Sequence, residues 1–203
     1  DGSKTAPGLS AGLVTKFGSI QPQLGGAMLA LSSGNARDAA DGSACGSQTC
    51  QTTGAGNAPQ GFPQDVPGCN GKPEINDDIA LEVKLKAPSN AKGYSFNFSF
   101  MSFEFAEYVC TSYNDQFIAL VNPAPQGSIN GNISFDSKTN PVSVNIALFD
   151  HCDPATQSQF AMFCAFEVGS NCPTAPNPYC PNGKNFMNGT GFNECGDSGS
   201  TGW

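Results

Sequence analysis

The side chains best suited to chemistry lie in one short stretch, residues 102–117, whose sequence is SFEFAEYVCTSYNDQF. Four of them offer oxygen ligands close together, namely Glu104, Glu107, Asn114 and Asp115. Hard oxygen ligands crowded into one loop are what Ca²⁺ requires, with backbone carbonyls and water completing the set. The spacing predicts a Ca²⁺ site, because crowded carboxylates repel one another unless a cation lies between them. The alternative is that Asn114-Asp115 only turns a hairpin into Phe117.

The same two glutamates also fit the acid and the nucleophile or base of a glycoside hydrolase. This alternative is weaker, because Glu104 and Glu107 lie on one short loop and no cluster of Trp or Tyr offers a platform for a sugar. Trp203 is the only tryptophan, so a carbohydrate-binding module also has little support. We therefore predict that the chain is not an enzyme.

Other catalytic motifs are missing from the sequence. It contains neither Gly-x-Ser-x-Gly nor His-Glu-x-x-His, and its glycine pairs do not lead from a strand into a helix as a nucleotide-binding loop would. The only histidine, His151, would need a nucleophile that the sequence does not supply. We predict that it is a surface residue at the end of a strand.

Nine cysteines are the strongest feature of the composition: Cys45, Cys50, Cys69, Cys110, Cys152, Cys164, Cys172, Cys180 and Cys195. No two are spaced as C-x-x-C, which disfavours zinc and thioredoxin-type sites. So many cysteines in a Gly-rich chain favour an exported protein stapled by disulfides, its signal peptide already removed. The nearest candidate pair is Cys45 with Cys50, and further pairing is expected among Cys152 and the four cysteines after it. The odd count leaves one thiol free or paired with another chain.

The composition also excludes several classes of protein. Gly 24 and Pro 15 among 203 residues interrupt helices, which rules out a long helical bundle. The formal net charge is −8 and Arg37 is the only arginine, so we expect no nucleic-acid partner. No apolar stretch is long enough to predict a membrane span.

Alternation of apolar and polar residues predicts several strands. Residues 78–86 place Ile79, Leu81, Val83 and Leu85 on one face, which predicts a half-buried antiparallel strand. Residues 94–100 alternate again, and the slip in phase at Met101-Ser102 predicts a β-bulge. Apolar runs around a turn at Gly25-Gly26 predict an early pair of strands. Further strands are predicted at 117–121, 132–136, 142–149 and 160–168.

Together these patterns predict an all-β fold, an antiparallel β-sandwich or jelly roll, in a single domain over 1–203. Residues 34–72 contain almost no large hydrophobes, and residues 169–203 are rich in Gly, Asn and Pro; each region holds three cysteines. We predict that both are long irregular loops held by disulfides rather than by a core.

The motif at Ser102–Val109, followed by Tyr113–Phe117, resembles the S-x-E-Y-x-E-[FY]-V…[FY]-N-D-x-F signature of the choice-of-anchor L domain. Further stretches similar to myxobacterial members are 28–37, 75–81, 131–136 and 140–145. The resemblance implies a secreted bacterial cell-surface β-sandwich without established enzymatic activity, and it strengthens the metal interpretation. Phe105 departs from the signature, where the family usually has Tyr.

The resemblance also implies that strands are missing after Trp203, because family members continue through two more. We therefore expect a fragment, with the open sheet edge completed by another polypeptide, either the missing strands or a neighbouring subunit. The leading functional hypothesis is a non-enzymatic extracellular module for adhesion or surface assembly, stabilised by Ca²⁺. The alternatives are a filament subunit completed by a neighbour's strand, and a hydrolase or binding module for a surface glycan.

Overall fold

The computed structural model describes residues 9–44, 56–66, 69, 75–105, 108–136, 138–145, 149–153, 180, 182–192 and 198–202. The predicted strand at 160–168, the ligand candidate Glu107 and Trp203 lie outside these residues. So do five of the cysteines, Cys45, Cys50, Cys164, Cys172 and Cys195.

The first two strands form an antiparallel pair. β1 (Ala11–Val14) lies against β2 (Met28–Leu31), with Ala11 opposite Leu31 and Val14 opposite Met28. Gly25 between them has a φ of 78°, a conformation that glycine adopts without steric cost. The prediction of two short strands around a Gly-Gly turn is confirmed.

The remaining strands are two residues long and form two further antiparallel sheets. They are β3 (Met101–Ser102), β4 (Gln116–Phe117), β5 (Val142–Ser143), β6 (His151–Cys152) and β7 (Gly199–Ser200). β7 lies between β3 and β6, and β4 pairs with β5. Besides a 3₁₀ turn at Asn185–Met187, the described chain has no helix. The all-β prediction is confirmed at this level, and the described strands form three small sheets rather than a closed sandwich.

Two predicted strands do not pair with other described residues. Residues 78–86 belong to no sheet, and Leu81, Val83 and Leu85 are 57%, 59% and 73% exposed. The half-buried strand predicted here is wrong in this structure, because alternation decides which side chains share a face but supplies no neighbouring strand. Residues 94–100 likewise form no strand in the described structure.

Other predicted strand features are only partly present. Met101-Ser102, predicted as a bulge, pairs residue for residue with Ser200 and Gly199. The strand predicted at 132–136 is reduced to isolated bridges, such as Leu120 with Asn132. Within 169–203, predicted as a loop, the structure contains both the 3₁₀ turn and β7.

The described core is small and includes both disulfides. Phe105, Val109, Val144 and Phe149 are each at most 2% exposed, and they cluster with Cys110, Cys152 and Cys180. The disulfides join Cys69 to Cys110 and Cys152 to Cys180. The second lies within the predicted set, whereas no sequence pattern indicated the first. Disulfide stapling is thus confirmed for these four cysteines.

A strand glycine allows the aromatic rings of this core to approach the sheet. A Cβ at Gly199 would lie 2.8 Å from Cδ1 of Phe105 and 2.8 Å from Cδ1 of Phe149. Such contacts are too short for any side chain, so β7 needs glycine where the two rings meet.

Within its described part, the chain has no helix long and apolar enough to cross a membrane.

Candidate metal centre

Two of the four predicted ligands come together where β3 ends and β4 begins. Glu104 follows β3, Asp115 precedes β4, and the backbone N–H of Asp115 donates a hydrogen bond to the Glu104 carboxylate. Ser102 lies between them: its Oγ donates to Oδ2 of Asp115 at 3.4 Å and accepts the N–H of Glu104 at 3.0 Å. The structure therefore builds one acidic cluster, defined here as Glu104, Asp115 and Ser102.

The loop between the two carboxylates is held in place by Asn145. The buried Asn145 side chain accepts the backbone N–H of Cys110 at 2.6 Å, and the backbone N–H of Asn145 donates to Oδ1 of Asn114 at 3.3 Å. Val109 is fully buried within the loop, and the disulfide from Cys110 to Cys69 ties the loop to the 56–69 segment. Asn114, a predicted ligand, thus already uses its side-chain oxygen in a hydrogen bond within the protein.

A third carboxylate, Asp77, approaches the cluster from another part of the chain. Asp77 is 6% exposed and has a φ of 50°. Its negative charge contributes to the raised pKa of Asp115, so Asp77 acts on the cluster electrostatically. No spacing pattern in the sequence indicates that Asp77 acts on residues 102–117.

Burial, together with a neighbouring negative charge, raises the pKa of each cluster carboxyl. Burial raises the pKa of Glu104 to about 7, and the charge of Asp115 adds to this effect, while the N–H of Asp115 opposes it. Burial also raises the pKa of Asp115, with the Asp77 charge adding to it and the Ser102 hydroxyl opposing it. The cluster thus holds negative charge only at a cost in free energy.

One oxygen of the cluster lacks a partner in the described chain. Oε2 of Glu104 is buried and accepts no hydrogen bond. The ion pairs among the described residues are Lys184 with Asp153 and the longer contact between His151 and Asp150, so no basic side chain balances the cluster. An orphaned, buried carboxylate oxygen is chemically suited to accept a cation or a proton.

The described residues do not by themselves form a complete metal site. No group of three or more His, Cys, Asp or Glu side chains in this part of the chain is placed to hold a metal ion. Glu107, the fourth predicted ligand, lies outside the described residues. A cation here would rely on Glu104 and Asp115, with neutral oxygens such as Ser102 Oγ and water completing its shell.

His151 is more buried than the surface position predicted for it from the sequence. Its side chain is 19% exposed, with Nε2 3.7 Å from Oδ1 of Asp150 and its ring 4.7 Å from that of Phe186. The adjacent Cys152 is in a disulfide and is therefore unable to act as a nucleophile. This arrangement gives His151 a packing role.

A separate shallow cavity of about 450 Å³ lies beside β1 and shares no residue with the acidic cluster. Arg37 lines it, but its Nη1 donates to the carbonyls of Ala11 and Ala36 at 2.9 and 2.8 Å. Asp38 accepts the N–H of Gly18 at 2.8 Å. These charged groups are used to fix the backbone, so the acidic cluster is the stronger candidate site.

Comparison with protein-family models, with curated proteins and with solved structures finds no match to this chain.

Proposed function

We propose that this chain is a non-enzymatic extracellular surface module, acting in adhesion or surface assembly and stabilised by disulfides and a bound Ca²⁺ ion. The observation that carries the cation is the orphaned, buried Glu104 oxygen beside Asp115. Ca²⁺ prefers carboxylate and neutral oxygen ligands and tolerates irregular geometry, which suits this set.

The disulfides support the extracellular location. Two of them lie in or beside the core, and they close long segments of chain with sequence separations of 41 and 28. Disulfides persist in oxidising compartments outside the cytosol, and they stabilise proteins whose apolar core is small. The resemblance of residues 102–117 to the choice-of-anchor L signature supports the same location.

Calcium binding is tested by thermal unfolding and by titration calorimetry on the non-reduced protein. Ca²⁺ is expected to raise the Tm of the wild-type chain, and Asp115→Asn is expected to lose most of that increase because it removes one ligand charge. The matched control, Asp65→Asn, removes an exposed carboxylate and should keep the full increase. Equal responses to Ca²⁺ in both variants would rule out this site.

The extracellular location is tested on intact cells that make the protein. Protease added outside the cells should digest it, while a cytosolic marker survives. Peptide mapping of the purified, non-reduced protein should recover the Cys69–Cys110 and Cys152–Cys180 links. Thiols found free at these four positions would contradict the proposal.

The hydrolase alternative uses the same glutamate, and one variant distinguishes it from the surface-module proposal. A raised pKa is what a general acid requires, and Glu104 has one near 7. The surface-module proposal expects no turnover of glycan substrates by the wild-type chain. Hydrolysis that disappears in a folded Glu104→Gln variant would support an enzyme instead.

A further inference from the structure

The segment 79–87 is extended and pairs with no other strand in the described part of the chain. Residues 80–86 are exposed, and the segment contains no turn, bend or positive φ. No backbone hydrogen bond connects it to the rest of the described chain. Its apolar side chains Leu81, Val83 and Leu85 are more than half exposed. Exposed apolar strands of this kind readily pair with another chain.

The charges in this segment are complementary to themselves when the strand is reversed. In an antiparallel pair of two identical strands centred on Val83, Glu82 lies opposite Lys84 and Lys84 lies opposite Glu82. In the same arrangement Leu81 lies opposite Leu85, and Val83 lies opposite its own copy. Directly opposite residues share a face, so one face becomes wholly apolar and the other carries two Glu–Lys pairs.

Neighbouring registers are less favourable. Centring the pair on Glu82 or on Lys84 places two like charges opposite each other. Centring it on Leu81 places Leu85 opposite Asp77, which is buried and has a φ of 50°. Pro88, which lacks an N–H to donate, limits the strand at its far end. The register centred on Val83 avoids these like-charge pairs and the buried Asp77, and it places Leu81 opposite Leu85.

We propose that the chain forms a two-fold symmetric dimer by antiparallel pairing of residues 79–87 with the same residues of a second copy. Both copies contribute the same residues, so the interface is self-complementary about a two-fold axis. Backbone hydrogen bonds provide the attraction, while the Glu82–Lys84 pairs select the register. One short strand buries a modest area, so the dimer is expected to be weak and in exchange with monomer.

The test is sedimentation equilibrium of the whole chain, with charge-reversed variants. Glu82→Lys and Lys84→Glu each replace two attractive pairs with two repulsive ones, and each should weaken dimerisation by about tenfold. The double variant E82K/K84E restores opposite charges and should dimerise as the wild type does. Lys92→Glu, an exposed residue outside the segment, changes the charge as Lys84→Glu does and should have no effect.

Mixing the two single variants provides the sharpest measurement. In a mixed dimer the introduced lysine at position 82 faces the introduced glutamate at position 84, and the native Lys84 faces the native Glu82. The mixture should therefore dimerise although neither variant does so well alone. Because all substituted side chains are exposed, the Tm of each variant should stay close to that of the wild type. A wild-type chain that remains monomeric at all soluble concentrations would overturn the proposal. A dimer that none of these changes affects, or that only Lys84→Glu weakens, would overturn this register.

Discussion

Replacing Glu104 with glutamine removes one of the two charges that the acidic cluster holds at a cost in free energy. The pKa of Glu104 rises from 4.5 to about 7 on folding, because the carboxyl is buried and faces Asp115. The folded state therefore binds its proton more tightly than the unfolded state does. The stabilisation that comes from binding this proton is complete below about pH 4.5, and the stability of the fold decreases as pH rises through about 7.

The size of this effect follows from the two pKa values. A pKa difference of one corresponds to about 1.4 kcal/mol of free energy. A rise from 4.5 to about 7 therefore lowers the free energy of unfolding above pH 7 by roughly 3 kcal/mol. Partial exposure and the coupling to Asp115 reduce this, and we expect about 1–3 kcal/mol. Without calcium at about pH 8, Glu104→Gln should therefore raise Tm by about 2–8 °C. Glutamine keeps the volume and an oxygen to accept the N–H of Asp115.

The assay is thermal unfolding followed by circular dichroism, from about pH 4.5 to about pH 8 and with a chelator present. The wild-type Tm should fall across this range, the Glu104→Gln Tm should fall less, and Ca²⁺ should flatten the wild-type curve by neutralising the cluster. Glu82→Gln, the same change at an exposed position, is the control. A Glu104→Gln variant less stable than wild type at the upper end of this range, beside an unchanged control, would refute the reasoning.

Three further substitutions test the surroundings of the cluster by thermal or denaturant unfolding. Gly199→Ala should destabilise the fold by about 1–3 kcal/mol because its Cβ meets the Phe105 and Phe149 rings, whereas Gly26→Ala, in open space, should change little; equal effects would contradict the packing. Asn132→Ala should lower the free energy of unfolding by about 2–4 kcal/mol, because this fully buried amide accepts the backbone N–H groups of Ala119 and Ser134. Unchanged stability would show that water takes the place of the amide oxygen. Replacing both Cys69 and Cys110 with alanine should lower the free energy of unfolding by about 2–4 kcal/mol. It should also weaken Ca²⁺ binding, because the disulfide anchors the loop. Unchanged calcium affinity would show that the disulfide does not position the ligands.

The sequence predicts this molecule best where local chemistry is sufficient. Gly25-Gly26 between two apolar runs predicts the β1–β2 pair, and the acidic residues of 102–117 predict that Glu104 and Asp115 meet. It fails where a distant segment decides the outcome. Residues 78–86 have the correct alternation, but only the tertiary structure shows that the described chain offers them no neighbouring strand.

The same limit applies to the polar contacts of the cluster. The alternation within residues 142–149 predicts that Asn145 faces outward. In the structure its side chain is buried and accepts the backbone N–H of Cys110, which holds the loop in place. Asp77 becomes relevant only because folding brings it close to Asp115. Both effects depend on contacts between residues far apart in sequence, which a pattern of local spacing does not contain.

The position of β7 in its sheet has a consequence for how the protein is made. β3 and β6 each pair with β7 and not with each other, and β7 follows both of them in the sequence. Among the described strands, β3 and β6 therefore have no partner in this sheet until Gly199 and Ser200 have been synthesised. Contacts of such long range form slowly. This topology postpones closure of the described three-stranded sheet until β7 has been synthesised.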